Sequence, residues 1–417
     1  MSAAATMALA ALVAGGVLAA TAGPRVALAA RTQALHQTLA ATTPLARTII
    51  AATEWSTITS DLDNDSFGSL GSANLTAGQL SEVTSQLHGD FDRGVVKLAP
   101  ADADWMSMTT LLHTVTSTSG LPGAGTFEVQ FEVSYRQPFT QYMRLVAGRY
   151  PGTASASVSP VLQVAVSSQT ARQFGLHPGS KVPITPPKIA YSGSLAKGIT
   201  LEVTGIIAPR DASATFWTDD PVVLTPDLSC VDCVPSIWIA GAFIGPGELG
   251  ALQSDFGPED MALQWVFPVD VGSAGGQQAQ PLYNALNEDS TQSPPLTGGI
   301  AAASSALTVS SALLQPVGTF LDTAAQVDTL LWLLYVSLAV AGAVALVLAA
   351  RIVAIRRSAE LAVRRARGAS LPQIAMAAAG GAAIACVPAT LLGAVLGVLI
   401  TPGAEPAGGW WAPAAVL

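Results

Sequence analysis

At 417 residues the chain is long enough for two or three soluble domains. Half of its residues are hydrophobic, only 11% are charged and its mean hydropathy is +0.46, whereas soluble domains carry about 25% charged residues. The net charge of −9 leaves a chain without the broad basic surface that nucleic acid binding requires, and three Cys residues are too few for a disulfide scaffold.

Ala3–Ala22 carries no charge and as a helix would span roughly 30 Å of hydrocarbon. Ala27-Leu28-Ala29 fits a signal-peptide cleavage site, but the start has no Lys or Arg and the apolar run exceeds a usual signal core. Residues 1–30 are therefore read as a retained first transmembrane helix, with a secreted protein as the alternative.

Residues 31–327 differ in kind, holding nearly all the acids and many short runs of period-two alternation. In TFEVQFEVSY, Phe127, Val129, Phe131, Val133 and Tyr135 share one strand face. ITLEVTGII at 199–207 and VPIT at 182–185 are further strands, and Ser168–Phe174 is a helix ended by Gly175. The expectation is a large α+β domain with room for two subdomains. Within it, Cys230 and Cys233 form a C-x-x-C without a neighbouring His. In an extracytoplasmic setting this reads as a small-loop disulfide, a redox or metal role being the alternative.

Thr329–Ala350 has no charge and reaches about 33 Å as a helix, with Trp332 and Tyr335 toward one interface. Residues 328–350 are the predicted second transmembrane helix. Arg351–Arg367 then packs six of the chain's 19 Lys and Arg residues against the single acid Glu360, while Asp211–Ala350 holds no Lys or Arg. Each Arg at a bilayer centre would cost about 2.5–3.5 kcal/mol, so the window lies in water or among head groups. By the positive-inside rule it is cytoplasmic and the acidic 31–327 region is outside. The window, 351–370, itself reads as helix: Glu360 precedes Arg364 by four, Gly368 stops it, and Ser370 with Gln373 caps the next one. A plain topological loop explains the charge; a docking element for a cytoplasmic partner also explains its shape.

Residues 371–400 form a third predicted span that includes Pro388, with Gly393 and Gly397 as a G-x-x-x-G helix-packing pair. Residues 401–417 carry Trp410 and Trp411 as interface anchors and end on what reads as the start of a fourth helix.

Other chemistry is sparse. None of the four Lys residues follows a Gly, so there is no P-loop, and the four His residues are scattered without H-E-x-x-H, so no metal site is expected. The G-x-G-x-x-G at Gly245–Gly250 has Pro246 and Glu248 where a phosphate would need N–H groups and positive potential, so it reads as a strand-to-helix turn. Asp61, Asp63 and Asp65 lack the later ligands of an EF-hand and read as a solvated loop.

RRSAELAVRRARGASLPQI at 356–374 resembles the segment after the second helix of FtsX/MacB-like ABC transporter permeases, the type VII class. YMRLVAGRYPG, VAVSSQTARQFGLHPGSKVPI and LEVTGIIAPRDASATFWTDDP resemble that family's extracytoplasmic domain, and the order of elements matches along essentially the whole chain. The resemblance implies an α-helical transmembrane bundle plus a large α+β domain of the MacB periplasmic core type, multi-pass in the cell membrane. It implies a coupling helix, here Glu360, Leu361, Arg364, Arg365, Arg367 and Gly368, seated on a separate cytoplasmic ATPase that binds ATP and Mg, with no cofactor on this chain. It also implies a second permease half or a homodimer, and a fourth helix that this sequence does not reach, as in an incomplete chain. The chain itself would be non-catalytic, and the competing reading is a membrane-anchored extracellular ligand-binding or receptor module without an ATPase.

Overall fold

The computed structural model describes residues 3–58, 75–152, 161–185, 198–231, 234–256, 260–292, 294–296, 307–366 and 370–400. Helix α1 (Ala3–Ala40) opens the chain, followed by β1 (Thr48–Glu54), α2 (Ala77–Phe91), β2 (Trp105–Thr110), β3 (His113–Thr114), β4 (Glu128–Gln137), β5 (Met143–Gly148) and β6 (Val161–Ser167). Next come α3 (Ser168–Phe174), β7 (Lys181–Ile184), β8 (Ile199–Pro209), α4 (Thr215–Thr218), β9 (Asp227–Val231) and β10 (Val234–Phe243). The chain continues through α5 (Leu249–Asp255), β11 (Met261–Pro268), α6 (Ala279–Thr291) and β12 (Thr308–Ser311) into two long helices, α7 (Leu314–Ala366) and α8 (Leu371–Ile400).

These elements form two compact units. A helical unit takes α1 up to Thr38, the short segment Gly275–Gln280 and the chain from Val317; a sheet unit takes Leu39–Ala274 and Pro281–Pro316.

In the sheet unit, all the described strands join one mixed sheet in the order β12-β1-β11-β2-β4-β10-β6-β8-β5, with β3 on β4, β7 on β8 and β9 on β10. Two pairs are parallel, β4 with β10 and β6 with β8, and each needs a long crossover. The described strands of the region thus form one continuous sheet. Alternation places Val129, Phe131, Val133 and Tyr135 of β4 inside, whereas Phe127 lies just before the strand and is half-buried. Helix α3 ends as its sequence implies: Gly175 takes φ 67° and donates its N–H to Ala171 O, a conformation in which a Cβ would be strained. Helix α2 begins with a capping box, Gln79 N donating to Thr76 Oγ1 and Thr76 N to Gln79 Oε1, and buries Leu80, Val83, Leu87 and Phe91.

The core gathers aromatic rings around Phe216, which meets Trp105 edge-on at 5.7 Å and Trp217 at 4.8 Å. Gly241 lets the Pro221–Val223 turn lie against β10, since a Cβ there would stand 2.7 Å from the Val223 Cα. The G-x-G-x-x-G segment is a turn: β10 leads through the 3-10 turn Pro246–Glu248 into α5. A Cβ on Gly245 would lie 2.6 Å from Pro151 O, and Glu248 is itself buried there, its carboxyl raised by desolvation and then by Asp255.

In the helical unit, both helices exceed the predicted spans of 1–30 and 328–350. Helix α1 runs to Ala40 and α7 starts at Leu314, because helix formers such as Ala29, Ala30 and Ala34 in α1 and Leu321, Ala324, Ala325 and Gln326 in α7 lie beyond the apolar runs. Thr32, Thr38 and Thr323 donate their hydroxyls to the carbonyls of Leu28, Ala34 and Thr319 one turn back, which satisfies these donors within their own helices. Among the described residues, two helices are long and apolar enough to cross a membrane, at Ala10–Ala40 and Leu314–Leu348, with a shorter apolar stretch at Cys386–Ile400.

Candidate functional site

The predicted coupling residues lie at the end of α7. That helix is 53 residues long, about 80 Å at 1.5 Å per residue. It runs without a break from Leu314 through the uncharged Thr329–Ala350 stretch to Ala366, carrying Glu360, Leu361, Arg364 and Arg365 in its last turns. Arg367 and Gly368 lie outside the described residues. Helix α8 restarts at Leu371, where Ser370 N donates to Gln373 Oε1 at 3.2 Å, the backbone half of a capping box. No side chain from Thr329 to Leu348 is buried by the rest of the protein; Leu330, Trp332 and Val347 are each about two-thirds exposed. A contiguous apolar surface of this length is not stable in water.

Helix α8 returns along α1. Gly393 and Gly397 are buried, and a Cβ on Gly393 would meet Ala14 O and the Val17 side chain, one on Gly397 the Thr21 hydroxyl. The backbones therefore approach closely where these two glycines sit, and Val13, Val17 and Ala389 form a small buried cluster there. Helix α7 approaches α1 at Gly23, where an added Cβ would stand 2.8 Å from Tyr335 Oη. About two turns further on, Arg31 of α1 pairs with Asp328 of α7. Ala27, Ala30 and Ala34 face Phe320, Val327 and Leu331 across a cleft of about 380 Å³.

A third chain segment meets the same place on α1. Gly276 N donates to Thr32 Oγ1 at 2.9 Å, and a Cβ on Gly276 would lie 2.7 Å from Thr32 N and 2.9 Å from Arg31 Cβ. Gly276 connects within a few residues to β11 on one side and α6 on the other. Gly275–Gln280 belongs to the helical unit and is flanked in the chain on both sides by residues of the sheet unit. Sequence reasoning missed this junction, because VGSAGGQQ reads only as a loop before a helix and contains no sign of a close approach.

The strongest electrostatic feature of the sheet unit was also missed. Glu132 and Arg136 stand four apart on β4 and so share a face. Arg136 is 1% exposed; its guanidinium lies 5.3 Å from the Trp105 ring centre and 5.6 Å from that of Phe216. Its Nη1 donates to Phe216 O, and Nη2 donates to Asp220 Oδ2 at 3.1 Å. Burial, then the hydrogen bond and charge of Asp220, push the Glu132 carboxyl up to about 9, which favours its protonated form beside Asp220. Asp219, raised by burial, accepts from Gln264 Nε2 at 3.1 Å. This network fastens the FWTDDP segment to the sheet. Its Nε is left without a hydrogen-bond partner among the described residues, but at 1% exposure the guanidinium is closed to a ligand. From sequence, Arg136 falls on the face of β4 opposite Val129, Phe131, Val133 and Tyr135, so alternation reads it as outward, and its acidic partner is 84 residues away.

Cys230 is exposed on β9 opposite Pro235; its predicted disulfide partner Cys233 lies outside the described residues, as do Asp61, Asp63, Asp65 and residues 401–417. His177 sits in a turn, its carbonyl accepting from Ser180 N. Among the described residues no group of three or more His, Cys, Asp or Glu side chains is arranged to hold a metal ion. In comparisons with known proteins, no family model matches this chain and no curated protein matches it.

Proposed function

We propose that this chain is a permease subunit of an FtsX/MacB-like ABC transporter, anchored in the cell membrane by several helices with the sheet unit outside. The observation that carries the reading is the unbroken α7, which joins an unburied apolar stretch to the Arg-rich window around Glu360, Leu361, Arg364 and Arg365. A plain topological loop needs positive charge but does not need a continuous helix leading into it. In this reading a separate ATPase binds the window, ATP and Mg act on that partner, and α7 carries the motion outward to the Arg31–Asp328 and Gly276–Thr32 contacts. The α+β domain is then of the MacB periplasmic core type, and a second permease half or a second copy completes the bundle. The outcome is export of a lipid, lipoprotein or peptide, or activation of an external enzyme.

The test is purification of the full chain from its native membrane, identification of the bound ATPase, and measurement of its turnover with Arg364→Glu and Arg365→Glu together. Loss of association or of stimulated turnover, with wild-type expression, is the expected result. Intact association and turnover would remove the coupling role, and recovery without any ATPase would favour the anchored receptor module.

A further inference from the structure

The cleft between α1 and α7 is apolar where charge and water are expected. On α1, Ala27, Ala30 and Ala34 recur at helical spacing, so their small side chains share one face, opposite Phe320, Val327 and Leu331 of α7. Ala30 and Ala34 are exposed and Val327 is 47% exposed, so these walls are open to an occupant. Thr38 and Thr323 also line the cleft, but their hydroxyls donate to Ala34 O and Thr319 O within their own helices. Arg31 is the one charged residue in the lining, and Asp328 balances it. What the walls offer is therefore mainly apolar contact.

The cleft is long and thin. Its α7 wall extends from Thr319 to Leu331, twelve positions or about 18 Å at 1.5 Å per residue. A volume of about 380 Å³ over that length leaves a mean cross-section of about 20 Å². An α-helix about 10 Å across needs about 80 Å², so a helix of a second copy does not fit between these walls, whereas one extended alkyl chain does. The position names the source of that chain. With α7 in the bilayer, the hydrocarbon ends near Asp328, where the uncharged Thr329–Ala350 stretch stops. Leu331 lies inside that limit, while Phe320 lies about 12 Å outside it. The cleft thus continues from the lipid core into the layer of head groups and water, where covering its apolar walls is favourable.

We propose that the cleft takes one acyl chain of a lipid drawn from the outer leaflet, sheltering it between α1 and α7 as the lipid is raised out of the bilayer. The inference deepens the permease reading by naming an acylated substrate, and it rests on that reading's placement of α1 and α7 in the membrane. The experiment places the full chain in phosphatidylcholine vesicles containing phosphatidylcholine with a mid-chain diazirine. After irradiation, lipid adducts are mapped by peptide mass spectrometry. Adducts are expected on the Thr329–Leu348 span and also on Ala34, Phe320 and Thr323, which a mid-chain carbon reaches only if the chain has risen into the cleft. Ala34→Trp, which fills the cleft from an exposed position, should reduce these outer adducts at least tenfold, leaving the span adducts and the melting curve at wild type. Adducts confined to the span, as a second copy lying over the cleft would give, would overturn the proposal and leave the membrane placement standing. Unchanged outer adducts in folded Ala34→Trp protein would do the same. Adducts on neither segment would overturn the placement and the proposal together.

Discussion

Replacing Arg136 with Met tests whether the buried network holds the FWTDDP segment on the sheet. Methionine keeps much of the aliphatic volume and a favourable contact with Trp105 and Phe216, so the loss is chiefly electrostatic. The charged hydrogen bond to Asp220 is worth about 1.5–3 kcal/mol, and the contact with two aromatic faces about 0.5–2 kcal/mol. Breaking a buried pair costs about 3–5 kcal/mol when the remaining charge is stranded. Asp220 is 24% exposed at its side chain and regains some water, so a destabilisation of about 3 kcal/mol is expected, near the lower end of that range. Denaturant unfolding of the full chain in detergent, followed by tryptophan fluorescence, reads it where Trp105 and Trp217 pack on Phe216. A change under about 1 kcal/mol would refute the reasoning, since that is the scale of an exposed pair. Glu132→Gln supplies the pH arm. Glu132 is raised from 4.5 to about 9 in the fold, so between those values the folded state holds a proton that the unfolded state has released. Stability therefore falls as pH rises through this window and levels off above it. The Gln variant, whose amide can donate to Asp220 in place of the carboxyl proton, should show a flatter pH dependence than wild type. Identical slopes would mean that Glu132 is ionised in the fold.

Gly393→Ile should separate α8 from α1, at a cost of about 1–3 kcal/mol typical of overpacking, read as a lower melting temperature in detergent; an unchanged melt would mean that the close approach is not held. Gly276→Val cannot fit beside Thr32 and should raise hydrogen exchange of the 276–280 amides at least tenfold, whereas unchanged protection would show that the junction is not tight. For the half-exposed Arg31–Asp328 pair, each single reversal, Arg31→Glu or Asp328→Arg, should cost under about 1 kcal/mol, and the double exchange should recover it in a mutant cycle.

What could be read from sequence was whatever depends on neighbours along the chain. Gly175 as a stop, Ser370 with Gln373 as a start, and the inward residues of β4 follow from local backbone chemistry and period. The single sheet did not, because its two parallel pairings join strands separated by long crossovers and each strand alone is compatible with two smaller sheets. The Arg136–Asp220 bond and the Gly276–Thr32 approach are likewise invisible: the first spans 84 positions, the second 244. The helix ends at Ala40 and Leu314 lie beyond the predicted spans for a different reason. Hydropathy marks where a lipid core would end, whereas a helix continues into water wherever its residues favour it and its turns pack on neighbours.

Within the proposed reading, the charges that bracket α7 restrict how it can move. Its uncharged stretch of Thr329–Ala350 covers about 33 Å against a hydrocarbon core of about 30 Å, and it is bounded directly by Asp328 and Arg351. Sliding the helix by one turn, about 5.4 Å, would carry one or the other into the core at about 2.5–3.5 kcal/mol, and an outward slide would bring Arg356 and Arg357 close behind. Rotation about the axis moves neither charge into lipid, and tilt does so only beyond about 25°, where the projected length falls below the core thickness. An ATPase pushing on Arg364 and Arg365 would then turn or tilt α7 as a lever, and the Arg31–Asp328 contact is where α1 would feel it.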